Sequence, residues 1–119
     1  MTPATEALLD RGRKERIFVP ALWHLETSNV LVNDERRKRI TAHQFAECLK
    51  FLKALSIQTD EETTSHAWDD ILTLARAEKL TTYDATYLEL ALRKGLPLAT
   101  MDEDLIEAAR RSGIRTLPG

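Results

Sequence analysis

At 119 residues, with 43% hydrophobic and 30% charged side chains, the chain has the size and composition of one globular domain with a single core. A formal charge of −2, from 17 basic and 19 acidic residues, gives no overall pull toward a polyanion, so a nucleic acid would have to be met by a local patch. One cysteine excludes an internal disulfide and a cysteine-built zinc site, and no apolar run approaches the ~20 residues that span a bilayer.

The N-terminus has no basic start and no hydrophobic signal core, and with the lone cysteine it points to a reducing, cytoplasmic setting. In chain order, Thr2 as N-cap and Pro3 at the first helical position predict a helix through Leu8 and Leu9, closed by Gly12. A short apolar strand, Ile17 to Pro20, comes next. Pro20 then opens a helix whose inward stripe is Leu22, Leu25, Asn29 and Val30. Thr41 caps a helix containing Phe45, Cys48, Leu49 and Leu52, which makes Cys48 core filling or a partly covered thiol. Ser56–Thr59 is a further short strand.

One helix is expected from Thr63 to Lys79, with Trp68, Ile71, Leu72 and Ala75 inward. The next begins at Thr81 or Thr82 and ends at Gly95, before a strand over Leu96–Thr100. The last helix runs from Asp102 or Glu103 to Ser112, and Gly113 leads into a strand over Ile114–Leu117. Repeated units of helix, glycine and short apolar strand predict an α/β domain over residues 1–119 with a mostly parallel sheet. Neither a linker nor an internal repeat interrupts it.

Three acidic residues fall where a charge is costly or informative. Glu26 shares a face with Leu22, Leu25 and Val30, and is either a rim residue of a broad-faced helix or a partly desolvated carboxylate in need of a partner. Asp84, three residues after Thr81, suits the positive end of its helix. Thr100-Met-Asp-Glu103 fits a capping box. Taken singly, both aspartates are satisfactory caps. Their placement adds a second reading: Asp102 follows the carboxyl end of a parallel strand, where ligands of open α/β sheets bind. The tight turn at Gly95 and Pro97 returns the chain, so that Asp84 and Asp102 share an edge, which Glu26 reaches from the helix after Pro20. Gathered carboxylates call for a cation or raised pKa values, and oxygen donors without Cys or His point to Mg²⁺ or Mn²⁺.

Three blocks, Pro20-Ala-Leu-Trp-His-Leu-Glu26-Thr-Ser-Asn29-Val-Leu31, Tyr83-Asp84-Ala-Thr-Tyr87-Leu-Glu-Leu-Ala91 and Leu98-Ala-Thr100-Met-Asp102-Glu-Asp104-Leu105, together resemble the PIN-domain family, best its VapC-like toxins. The resemblance covers essentially the whole chain. It implies an α/β/α three-layer sandwich and an endoribonuclease that hydrolyses RNA phosphodiester bonds with Mg²⁺. Carried over by motif, Glu26, Asp84 and Asp102 would be catalytic, metal-holding carboxylates. Asn29 and Thr100 would be supporting polar groups, and Asp104 an outer one. An antitoxin protein would block the site.

The pattern also departs from the family. Its members begin with a central strand ending in a metal-binding aspartate, then a helix; here Met1 is followed directly by what resembles the family's second helix. The expectation is therefore a sheet lacking its usual first central strand, with weak metal binding and weak or absent RNA cleavage. Such a sheet either closes up or is completed by a homodimer or strand-exchanged oligomer. The alternative function is a non-catalytic PIN remnant that binds an antitoxin or dimerises.

The basic run Arg36-Arg37-Lys38-Arg39, with Arg13, Lys14 and Arg16, reads as a solvated helix end and secondarily as an RNA phosphate contact. His24, His43 and His66 show no metal spacing and are taken as surface or packing residues. Trp23 and Trp68 are read as core or interface. Tyr83 and Tyr87, four apart, are expected to pack their helix on the sheet.

Overall fold

The computed structural model describes residues 7–10 and 16–118. Its elements are β1 (Ala7–Asp10), β2 (Arg16–Pro20), α1 (Leu22–Arg36), α2 (Ala42–Ala54), β3 (Ile57–Asp60), α3 (Thr63–His66), a π-helical stretch (Ala67–Ile71), α4 (Leu72–Glu78), α5 (Thr82–Lys94), β4 (Leu98–Ala99), α6 (Glu103–Arg111) and β5 (Thr116–Leu117). The five strands form one sheet in the order β3-β2-β1-β4-β5. β2 is parallel to β3, with Ile17 opposite Ile57 and Pro20 opposite Asp60, and β4 is parallel to β5. Helices cover this sheet in a three-layer α/β/α sandwich.

The N-terminal expectation needs correction. Leu8 and Leu9 lie in a strand, not a helix: β1 runs antiparallel to both neighbours, with Leu8 opposite Phe18 on one side and Leu98 on the other. Thr2, Pro3, Gly12, Arg13 and Lys14 lie outside the described residues. The middle of the sheet is thus filled rather than vacant. The reason is non-local: β2 and β4 each present a row of unpaired N–H and C=O groups, and pairing them outweighs the helical preference of a short segment. The other four strands still share one direction.

The core is built around α5. Every residue from Ala85 to Ala91 is buried, which is the pattern of a helix enclosed on all sides. Tyr87, Leu88 and Leu90 pack with Val19 of β2, Leu98 of β4, and Leu105, Ala108 and Ala109 of α6. Removing each such large side chain from water contributes roughly 1.5–3 kcal/mol. Gly95 and Gly113 close α5 and α6 with positive φ (66° and 78°), a backbone conformation that a side chain resists.

Two helical stripes differ from the pattern. On α1 the buried residues are Trp23, Thr27 and Leu31, while Leu25 is 76% exposed. The run expected as one helix from Thr63 is broken by the π stretch, whose wider turn shifts the helical phase. Ile71 and Ala75 stay inward, whereas Trp68 (89% exposed) and Leu72 turn out to solvent. On α2, Cys48 is exposed rather than core filling. Thr41 does cap α2, in a reciprocal capping box with Gln44.

Candidate functional site

Three segments place the carboxylates. β2 ends at Pro20 and α1 starts two residues later, which puts Glu26 on its second turn, half-buried. α5 starts at Thr82, with Thr81 as N-cap accepting from the Asp84 N–H at 3.1 Å, so Asp84 lies in the first turn as the spacing requires. β4 ends at Ala99; Thr100 is buried, and its hydroxyl accepts from the Asp102 N–H at 3.0 Å. The Asp102 carboxylate in turn accepts from the Leu105 N–H at 3.0 Å and caps α6. The expected capping box from Thr100 is therefore replaced: Asp102 is the cap, and Thr100 fixes the backbone before it.

Asp84 lies within electrostatic reach of Glu26, Asp102 and Asp104. Burial pushes the Asp84 carboxyl above its ordinary range, and the negative charges of Asp102 and Asp104 push it further, against the hydrogen bond with Thr81. Burial likewise raises Glu26; the Tyr87 hydroxyl, which donates to Oε1 of Glu26, opposes this, and Asp84 adds to it. Among the described residues no Lys, Arg or His forms an ion pair with any of these four carboxylates. Asn29 is exposed, one turn on from Glu26. Arg36, Arg37, Lys38 and Arg39 are all exposed at the end of α1, with Arg39 reaching Asp34 at 3.5 Å.

The two tyrosines separate. Tyr87 is fully buried and holds Glu26, whereas Tyr83 is exposed and does not pack on the sheet.

A second ionic cluster went unread in the sequence. His66, Asp70 and Glu89 bring three ligand atoms within 4.8 Å of one another, a closer grouping than the site carboxylates make. Both Glu89 oxygens, however, accept from Arg93 (2.8 and 3.0 Å), which also grips buried Asp60 with two bonds of 2.9 and 2.8 Å. The guanidinium holds the Asp60 carboxyl down at about 2. This cluster already has its cation, a protein one, and it ties β3 to α5. The only local signal for it is the spacing of four between His66 and Asp70 and between Glu89 and Arg93.

Comparison with known proteins agrees with this architecture. The model of the PIN domain family matches residues 2–111. Among solved structures, the crystal structure of PAE2754 from Pyrobaculum aerophilum is similar, with a TM-score of 0.64 and 27% identity over 83% of this chain. This chain spans 65% of the length of that one. No curated protein matches. PIN domains are generally nucleases that use divalent metals and act on RNA, and no described helix is long and apolar enough to cross a membrane.

Proposed function

From the premise that the chain belongs to the PIN-domain family, we propose that it is a Mg²⁺-dependent endoribonuclease of the VapC-like toxin type, with Glu26, Asp84 and Asp102 as its working carboxylates. One observation supports this reading: Glu26 and Asp84 are partly desolvated, Asp84 lies within reach of the charges of Glu26, Asp102 and Asp104, and no protein cation among the described residues pairs with them. The donor set fits a hard divalent cation, since every group is a carboxylate oxygen, with the Thr100 hydroxyl beside them. Mn²⁺ fits the same set.

In this reading Asp84 and Asp102 would hold the cation, from the first turn of α5 and the cap of α6. Glu26, oriented by Tyr87 and with raised proton affinity, accepts a proton from the attacking water. A bound Mg²⁺ supplies charge neutralisation at the phosphate and lowers the pKa of water. Thr100 and Asp104 support from outside: the first fixes the backbone at Asp102, the second adds negative potential. Arg36, Arg37, Lys38 and Arg39 meet RNA phosphates. A cognate antitoxin protein is the expected inhibitor. Three carboxylates are a short set for a cation that prefers six oxygens, so turnover by residues 1–119 is expected to be slow.

The test is cleavage of a fluorescent single-stranded RNA by the purified chain, with a thermal-shift titration of Mg²⁺ and Mn²⁺ alongside. The reading expects slow cleavage that EDTA and Asp84→Asn abolish, and a metal-dependent rise in Tm that Asp84→Asn removes. Cleavage that survives EDTA, or the absence of both cleavage and a metal response, overturns it.

A further inference from the structure

Arg93 is the protein cation of the second ionic cluster, yet it does not balance all of it. It bonds Asp60 and Glu89 and leaves Asp70 to His66, whose Nδ1 lies 3.1 Å from Oδ2 of Asp70. Three carboxylates thus face one guanidinium, an excess of two negative charges when His66 is neutral. Glu89 is the costly member, buried in the middle of α5 with its side chain 7% exposed. The groups come from two parts of the chain. His66 ends α3 and Asp70 lies in the π-helical stretch, a rare turn that recurs at functional sites, while Glu89 meets them from α5.

Their donor atoms are arranged for an ion. Nδ1 of His66 is 3.1 Å from Asp70 Oδ2 and 3.8 Å from Glu89 Oε2, and one atom from each residue falls within 4.8 Å of the other two. A tetrahedral Zn²⁺ with bonds of about 2.0–2.2 Å holds its ligand atoms about 3.3–3.6 Å apart. The two pair distances straddle that range. Arg93 leaves this side of Glu89 open: its Nε bonds Oε2 at 2.8 Å, and a carboxylate oxygen has a second lone pair. The same grip fixes the carboxylate's orientation, as the outer hydrogen-bond partner of a metal ligand does. Asp70, Glu89 and Arg93 also line an open cleft of about 510 Å³, which gives an ion its way in and leaves room for water to complete the coordination.

We propose that His66, Asp70 and Glu89 form a second metal site, which takes a transition-metal dication, Zn²⁺ above all, and clamps the π-helical stretch to α5. The imidazole sets the choice of ion: one nitrogen with two carboxylates suits Zn²⁺, whereas Mg²⁺ asks for near-octahedral oxygens. The ion takes the place of the hydrogen between Nδ1 and Oδ2, so His66 carries its proton on Nε2 when loaded. Glu89 is five residues from Asp84, about 7.5 Å along α5 and about 140° round it. The site is therefore separate from the carboxylates proposed for catalysis and stands independently of the ribonuclease reading.

The test is calorimetric titration of Zn²⁺ into the full chain, with Mg²⁺ in large excess to compete at an all-oxygen site. His66→Ala and Asp70→Asn should each weaken Zn²⁺ binding at least about tenfold, since losing even the outer partner of a ligand costs about ten- to a hundredfold. His43→Ala, at the exposed pair of His43 with Glu47, and Cys48→Ser should bind as the parent does, and so should Asp84→Asn. Co²⁺ in place of Zn²⁺ should show the strong visible absorption of a four-coordinate ion, lost in His66→Ala. Asp70 is 68% exposed, so Asp70→Asn removes a ligand without disturbing packing, and a metal-free melt equal to the parent's checks that. Zn²⁺ binding that His66→Ala and Asp70→Asn leave unaltered, or no binding in Mg²⁺, overturns the proposal. Binding lost in Asp84→Asn instead overturns it too, by assigning the ion to the carboxylates proposed for catalysis.

Discussion

The Tyr87 hydroxyl donates a hydrogen bond to Oε1 of Glu26 across 61 positions of sequence, joining a fully buried helix to a half-buried carboxylate at the mouth of the site. It is what makes the position of Glu26 tolerable, since burial alone raises its pKa and the donor lowers it again. Tyr87→Phe keeps the ring and removes the donor. Two outcomes are expected: a loss of stability of about 1–2 kcal/mol by urea denaturation, and a higher Glu26 pKa by carbon-detected NMR titration. An activity that needs ionised Glu26 then has its acidic limb moved to higher pH.

Asp84 carries the opposite balance between stability and function. Its folded pKa is raised above the ordinary 3.8, so the folded state binds its proton more tightly than the unfolded chain does. The stability contribution is intact below 3.8 and is eroded as pH rises through the folded value. Asp84→Asn removes this penalty. In EDTA at neutral pH the variant is expected to be more stable than the parent by about 1 kcal/mol, with the gap closing below the ordinary carboxylate range. Differential scanning calorimetry across pH checks it; a variant less stable than the parent at neutral pH would mean that Asp84 is simply a helix-end carboxylate.

The Arg93 network is predicted to be the structural counterpart. Asp60 and Glu89 are buried and both depend on one guanidinium, so Arg93→Met strands two carboxylates. The expected cost is about 3–5 kcal/mol by chemical denaturation. Adding Asp60→Asn and Glu89→Gln to Arg93→Met should recover most of it, because the penalty lies in the orphaned charges. In the parent, Asp60 sits at about 2 against 3.8, so its contribution is present above 3.8 and is lost as pH falls toward 2. An acid titration of stability that shows no loss in that window would remove Asp60 from the account.

What could be read from the sequence was local. Thr41, Thr81, Gly95 and Gly113 act where they stand, because caps and left-handed closures are decided within a turn. The grouping of Asp84 with Asp102 came from a tight return between α5 and β4, which is also short-range. The features that escaped are set by distant partners. Leu8 and Leu9 become strand because β2 and β4 need pairing, and nothing within residues 7–10 announces it. Trp68 turns outward because one wide helical turn shifts the phase of its stretch of helix. Arg93 finds Asp60 from 33 positions away. Tyr83 and Tyr87 share a face, yet only the three-dimensional course of α5 decides which of them meets water.

The exposed basic run at the end of α1 gives the last prediction, and it separates phosphate binding from a merely solvated helix end. Arg36 and Arg37 are exposed, and the one ion pair the run makes among the described residues is Arg39 with Asp34, at 3.5 Å and largely in solvent. Such a pair adds little to stability, so the run is free to serve another purpose. Each phosphate contact to a single strand contributes about 0.7 to the slope of log affinity against log salt concentration. The double variant Arg36→Gln, Arg37→Gln should therefore lower that slope by about 1.4 and weaken binding alike across RNA sequences, with a melt unchanged within about 0.5 kcal/mol. An unaltered slope in the double variant would assign the run to solvation alone.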